Sequence, residues 1–238
     1  MTQPVVKPPR RRAGAAASLA AVVSVSSGCT TITAGSPQRD PAPPPPLPVS
    51  ALEQLMPSTS QLADIMEAPQ FAVAGTSHEM EPVADDLLSD KSCYGAVFGA
   101  LEPGYRDSGY TGIYEQRASD PGDINRRTSV AVVAFPGAPQ ATQHFQQEKT
   151  GWQACAGKTV TVKVTGQTVN WTLRPPEEVN GVAVELRLAE GQRGYGCSHA
   201  LTAANNIIID VVACSDDSTR LNEHAAAIVN AVRPKIPL

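Results

Sequence analysis

The chain has 238 residues, a formal net charge of −4, 42% hydrophobic and 18% charged residues. That length holds one domain, or at most two, and the apolar share is enough for a core. The acidic balance argues against a nucleic-acid partner, which would call for a basic patch, and 5% aromatics leave few platforms for stacking bases or sugars.

Residues 1–28 read as an export signal. Lys7, Arg10, Arg11 and Arg12 form a positive n-region, and Ala13 to Val25 is an uncharged Ala- and Val-rich stretch. It is too short to span a bilayer. Ser26-Ser27-Gly28 then precedes Cys29. This resembles a bacterial lipobox, whose cysteine is diacylated and becomes the mature N-terminus, with Ser26 standing where an aliphatic residue is usual. The expectation is a lipidated Cys29 that holds the chain on the extracytoplasmic face of the cell membrane. Each buried methylene contributes ~0.8 kcal/mol, so two or three acyl chains hold a soluble domain firmly. Removing the signal leaves 15 basic and 23 acidic residues, a net of −8. A domain so charged stands off an anionic bilayer.

Residues 29–49 supply a tether. Seven prolines fall between Pro37 and Pro48, a run that prefers extended polyproline II. At ~3.1 Å per residue it reaches ~60 Å. Residues 50–238 form the folded domain.

Ser50 to Glu67 reads as helix in two pieces. Ser50 with Glu53 suggests a capping box for the first, and Ser58, after Pro57, suggests an N-cap for the second. Leu52, Leu55 and Met56, then Leu62, Ile65 and Met66, give the apolar faces. Residues 70–92 are mixed, with Asp85, Asp86 and Asp90 read as a solvated loop. Tyr110 to Arg117 alternates like a strand, and Thr128 to Phe135 reads as a strand buried on both sides. Gly137 opens a helix that runs to about Cys155, with Pro139 in its first turn. Strands follow at Thr159 to Val164, Thr168 to Leu173, Val182 to Leu188, Ser198 to Ala203 and Ile207 to Ala213. Val182, Val184, Leu186 and Leu188 alternate with mostly polar residues, as in a half-exposed antiparallel strand. Asp217 to Val232 closes the chain as an amphipathic helix, and Pro234 stops it. Short connections between strands point to an α+β fold: a central antiparallel sheet with helices packed on one face.

With Cys29 lipidated, Cys93, Cys155, Cys197 and Cys214 remain, an even number in an exported chain, which suggests two disulfides. The absence of a CxxC pair argues against zinc and thioredoxin chemistry. Asn205-Asn206 between two strand-like runs suggests a two-residue type I′ hairpin, which needs positive φ at both central residues. Ala204 then faces Ile207 and Cys197 faces Cys214, on a non-hydrogen-bonded pair with Cα atoms ~4.5 Å apart. Cys197–Cys214 is the first expected bond and Cys93–Cys155 follows by elimination.

Ser198, His199 and Asp210 invite a hydrolase reading, but adjacent strand residues point to opposite faces, so Ser198 cannot reach a His199 base. His78, His144 and His224 lack metal-ligand spacing, and GxSxG, HExxH, P-loop and GxGxxG motifs are missing. No enzyme, metal or cofactor is expected. Trp152 and Trp171 read as core. The candidate binding surface is Tyr105, Tyr110 and Tyr114, set among glycines; the bland alternative is that they cap the core.

Trp152-Gln153-Ala154-Cys155-Ala156-Gly157-Lys158-Thr159-Val160, Gly194-Tyr195-Gly196-Cys197 and Asn205-Asn206-Ile207-Ile208-Ile209-Asp210-Val211 through Cys214 carry a family resemblance. Together with Gly109-Tyr110-Thr111 and Leu55-Met56-Pro57-Ser58 they resemble the PknH-like extracellular sensor domains. These occur in a mycobacterial serine/threonine kinase and alone in exported lipoproteins of the LppH type. The resemblance implies a mixed α/β domain with an antiparallel sheet and a cleft, first-to-second and third-to-fourth disulfides, and a ligand-binding role. The expected function is a membrane-anchored, non-catalytic sensor or ligand-binding module, its ligand a small molecule or lipid. The alternative is a scaffold that docks other envelope proteins through a flat apolar patch.

Overall fold

Strands that are apolar on both faces dictate the architecture. The computed structural model describes residues 43–164 and 166–238; the export signal, Cys29 and the tether up to residue 42 lie outside the described residues. The strands are β1 (Ala72–Ser77), β2 (Gly112–Asp120), β3 (Asp123–Ala134), β4 (Thr159–Val164), β5 (Gln167–Leu173), β6 (Glu177–Val179), β7 (Val182–Ala189), β8 (Gly196–Ala204) and β9 (Ile207–Ser215). They form one sheet in the order β1-β2-β3-β9-β8-β7-β5-β4, with β6 also paired to β7. Every pairing is antiparallel. The helices are α1 (Thr59–Ile65), α2 (Tyr94–Val97), α3 (Glu102–Tyr105), α4 (Ala138–Cys155) and α5 (Leu221–Val232), with a 3₁₀ turn at Val49–Leu55.

The antiparallel sheet with helices is the expected fold class, but the helices lie on both faces rather than one. Val130, Val132 and Ala134 of β3 and Ile207, Ile209, Val211 and Ala213 of β9 pack with α1, α5 and the 3₁₀ turn. Their alternates Ala131, Val133 and Ile208 pack with α2, α3 and α4. Burying a Val, Leu or Ile side chain contributes ~1.5–3 kcal/mol, so a central strand with apolar residues on each side needs cover on each side. The polar alternates of β7 are covered too. Ala183, Glu185 and Arg187 are all buried, so this strand is not half-exposed.

Local chemistry accounts for the other differences. Ser58 caps α1 in a reciprocal box with Gln61, as its position suggests, whereas the 3₁₀ turn starts after Pro48 with no side-chain cap. Residues 70–92, read as mixed, contain β1, an edge strand with a register shift between Val73 and Gly75. β6 is an edge strand of three residues. Both show little apolar alternation because edge strands bury little. α5 starts only at Leu221, because the Asp217 side chain turns the preceding chain by accepting from the Thr219 backbone N–H and hydroxyl.

The β8–β9 hairpin has the expected register, with Ala204 opposite Ile207 and Cys197 opposite Cys214. Only Asn205 takes positive φ (49°), so the turn departs from type I′. Asn206 serves another purpose. Its buried side chain accepts from Leu47 N–H (2.8 Å) and donates to the carbonyls of Leu47 (3.0 Å) and Phe135 (2.9 Å). Asn205 donates to the Pro45 carbonyl at 3.0 Å. The end of the proline-rich stretch is therefore clasped by the hairpin turn, and the folded body begins before residue 50. Disulfides join Cys93 to Cys155 and Cys197 to Cys214, with Cα separations of 5.8 and 4.0 Å. The first ties the segment leading into α2 to the end of α4.

Candidate functional site

A cavity of ≈ 460 Å³ lies on the α4 side of the sheet, toward the strand ends remote from the Asn205-Asn206 turn. Its floor is a cross-strand row: Arg127 of β3 opposes Cys214 of β9, which opposes Cys197 of β8, which opposes Arg187 of β7. A disulfide thus lies between two arginines. Val162 of β4, with Val169 and Trp171 of β5, continues the lining, and Tyr195 adds a second aromatic ring.

The facing wall is the segment Val97, Phe98, Gly99 and Leu101. It is pinned to the sheet by Asp210 of β9. Asp210 Oδ2 accepts from Ala100 N–H at 2.9 Å and from the Tyr105 hydroxyl at 2.8 Å, and Oδ1 lies 2.7 Å from His199 Nε2. The approach is close enough that a Cβ on Gly99 would lie 2.5 Å from Asp210 Oδ1, so only glycine fits there. Burial alone would raise the Asp210 pKa. The charge and hydrogen bond of His199, the Tyr105 hydroxyl and Ala100 N–H outweigh it and hold the carboxylate below its ordinary range. Tyr105 is pushed up, by burial and then by the Asp210 charge, and stays a neutral donor.

The charges in the cavity are unevenly compensated. Arg117 pairs with Glu81 at 2.7 Å and lies 3.9 Å from Glu115, which also accepts from the Ser129 hydroxyl at 2.6 Å. Arg127 sits 5.7 Å from the Tyr195 ring centroid and Arg187 5.3 Å from that of Trp171, within cation–π range. Arg187 is 6% exposed, and its Nη1 has no hydrogen-bond partner among the described residues. Burial lowers its pKa to about 10, against the opposing pull of Glu185, so it is charged at neutral pH. Glu185 is also buried, with neither oxygen partnered among the described residues. Burial raises its pKa to about 8, with Arg187 pulling the other way.

The three tyrosines singled out in the sequence do not converge. Tyr105 is buried on Asp210, Tyr110 is at the surface with its ring edge-on to Tyr105 at 6.2 Å, and Tyr114 packs in the opposite core with its hydroxyl toward Glu53 at 3.5 Å. They lie outside the cavity lining. Period-two alternation explains Tyr114: it points away from the face that carries Glu115 and Arg117. Sequence reading missed Arg127 and Arg187. Arg187 shares a mostly apolar strand with one other charged residue, Glu185, and that pairing is the one signal which could have exposed it. Trp171, read as core, both packs there and lines the cavity. Ser198 faces α5 and donates to Asn222 at 2.7 Å, away from His199. Among the described residues no cluster of His, Cys, Asp and Glu could hold a metal ion.

The sequence profile described as "PknH-like extracellular domain" matches residues 47–233. The chain belongs to that family. As a PknH-like extracellular domain it is 33% identical over 194 residues to the serine/threonine-protein kinase PknH of Mycobacterium bovis. The alignment covers 80% of this chain and 32% of the kinase. The kinase PknJ of Mycobacterium tuberculosis is 27% identical over 155 residues, covering 63% of this chain and 26% of that protein. The chain therefore spans about a third or less of the length of these relatives. The crystal structure of the extracellular domain of PknH from Mycobacterium tuberculosis superposes with a TM-score of 0.72 at 32% identity. It covers 79% of this chain and 98% of that one. The matched part of this PknH-like chain thus corresponds to the extracellular domain of that kinase, and the fold described above is that of an extracellular domain family.

Proposed function

We propose that this protein is a lipid-anchored, extracytoplasmic ligand-binding domain of the sensor type, without catalysis of its own. The observation that carries the reading is the cavity: ≈ 460 Å³, with a mostly apolar surface into which three arginines and two glutamates are set, a mixture that suits a small molecule with both apolar and polar parts. The wall segment is held by buried hydrogen bonds to Asp210, which supports a cavity already formed before a ligand arrives. The lipobox-like segment ending at Cys29 supports attachment to the membrane, and among the described residues no helix is long and apolar enough to cross one. Among the described residues only five large apolar side chains are exposed, Val49, Val73, Tyr110, Ile124 and Leu238, and that scarcity favours a cavity ligand over a flat docking patch.

Native mass spectrometry of the protein released from its own envelope tests this. A bound small molecule should appear, and a Val212→Trp substitution on the cavity floor should remove it. Identical apo masses for both proteins would count against the cavity as a binding site.

A further inference from the structure

We propose that the ligand of this cavity is a small amphiphile with one anionic headgroup, a carboxylate or phosphate, and that Arg187 seats the headgroup. The inference rests on the cavity reading above and adds the chemistry of its occupant.

A buried guanidinium is retained at a cost unless an anion compensates it. Arg187 has no such partner among the described residues. Glu185, two residues along the same strand, makes no ion pair with it within 4.0 Å, and its raised pKa leaves it largely protonated at neutral pH. Arg117 lines the same cavity and provides the contrast: it is already satisfied by Glu81 and Glu115. Arg127 stands in the same cross-strand row as Arg187, across the disulfide, and adds a second positive charge. The mature chain carries a net of −8, so a buried, unpaired Arg187 in the same cavity as a second, exposed arginine, Arg127, is not a by-product of general basicity. A guanidinium offers a planar fork that carboxylate and phosphate fill bidentately.

The rest of the lining sets the other half of the ligand. Phe98, Leu101, Val162, Val169 and Trp171 present apolar surface beside the arginines. A free inorganic anion would leave that surface wet, and a neutral apolar molecule would leave Arg187 buried without a counter-charge. An anionic headgroup on an apolar body satisfies both.

The test titrates the mature chain with four probes: laurate and dodecyl phosphate below their micelle concentrations, dodecanol, and inorganic phosphate, read by calorimetry and by tryptophan fluorescence. Laurate or dodecyl phosphate should bind at least about tenfold more tightly than dodecanol, the scale of one charge-assisted hydrogen bond, and inorganic phosphate should bind far more weakly. Arg187→Met should lower the affinity for the charged amphiphile about tenfold or more and leave dodecanol unchanged. Arg187→Lys should recover part of the loss, and near-UV circular dichroism checks that both variants fold. Equal binding of laurate and dodecanol, indifferent to Arg187, would overturn the headgroup assignment while leaving the cavity as a binding site. Phosphate alone binding as tightly as the amphiphiles would overturn the amphiphile. Binding of none of the four would overturn both readings together.

Discussion

His199 Nε2 lies 2.7 Å from Asp210 Oδ1, while the other oxygen of Asp210 takes Ala100 N–H and the Tyr105 hydroxyl. Residues that in sequence suggest part of a hydrolase triad thus act as a fastener. They fix the wall of the cavity to the sheet, and the serine that would complete the triad faces α5 instead. Asp210→Asn keeps the shape and removes the charge. A hydrogen bond to a buried charged group contributes ~1.5–3 kcal/mol, and this carboxylate closes three contacts. We expect a loss of stability of that order in denaturant titrations, together with faster hydrogen exchange at Ala100. Unchanged exchange at Ala100 would remove Asp210 from this role.

Glu185 makes stability depend on pH in a defined direction. Its pKa rises from 4.5 to about 8 on folding, through burial first. Between those values the folded state holds a proton that the unfolded state has lost, so unfolding free energy falls as pH rises. The size is on the order of 2–5 kcal/mol across the window. Glu148, raised to about 7 by burial and the Asp210 charge, acts in the same direction. His144 and His224, both lowered by burial, act oppositely, their stability being lost as pH falls through 6.5. Glu185→Gln removes one contribution and leaves the others. The difference between wild type and variant, measured by urea midpoints from pH 5 to pH 9 (on the order of the window above), should change with pH in favour of the variant at the alkaline end. A constant difference would refute the assignment.

The hairpin was legible in sequence because a two-residue turn and a period of two leave no freedom in register. Once Asn205-Asn206 is the turn, Cys197 must meet Cys214. The lid over the second face was not legible from α4 alone, because α4 is polar on most of its surface and buries only Ala141, His144, Trp152 and Cys155. β1 and β6 escaped because these edge strands leave their residues exposed or half-exposed and so show no buried apolar alternation. The cavity escaped for a related reason. Its residues come from seven strands, three loops and α2, and most are unremarkable in their own segment. Arg187 was hidden by the rule that polar alternates face water, which fails where the alternate face is also covered.

Asn206 offers a separate handle on where the folded body begins. Its side chain closes three hydrogen bonds on the backbone of Leu47 and Phe135. Truncation to alanine leaves buried backbone groups unpaired, at ~1–3 kcal/mol. Asn206→Ala should lower stability by that amount and make the chain near Leu47 more sensitive to a broad-specificity protease, while the Cys197–Cys214 bond still forms. Equal cleavage in both proteins would show that the clasp does not hold the segment.

The membrane attachment has its own test, independent of the cavity. Acyl chains on Cys29 would be the hold on the bilayer, since the domain beyond them is acidic and gains nothing from an anionic surface. Two chains each contribute ~0.8 kcal/mol per buried methylene, and a lone charge patch cannot replace them. Cys29→Ala should therefore move the protein from the membrane pellet to the soluble fraction after cell breakage, with the two disulfides intact in both forms. Retention of Cys29→Ala on membranes through a high-salt wash would mean that something other than acylation holds the chain there.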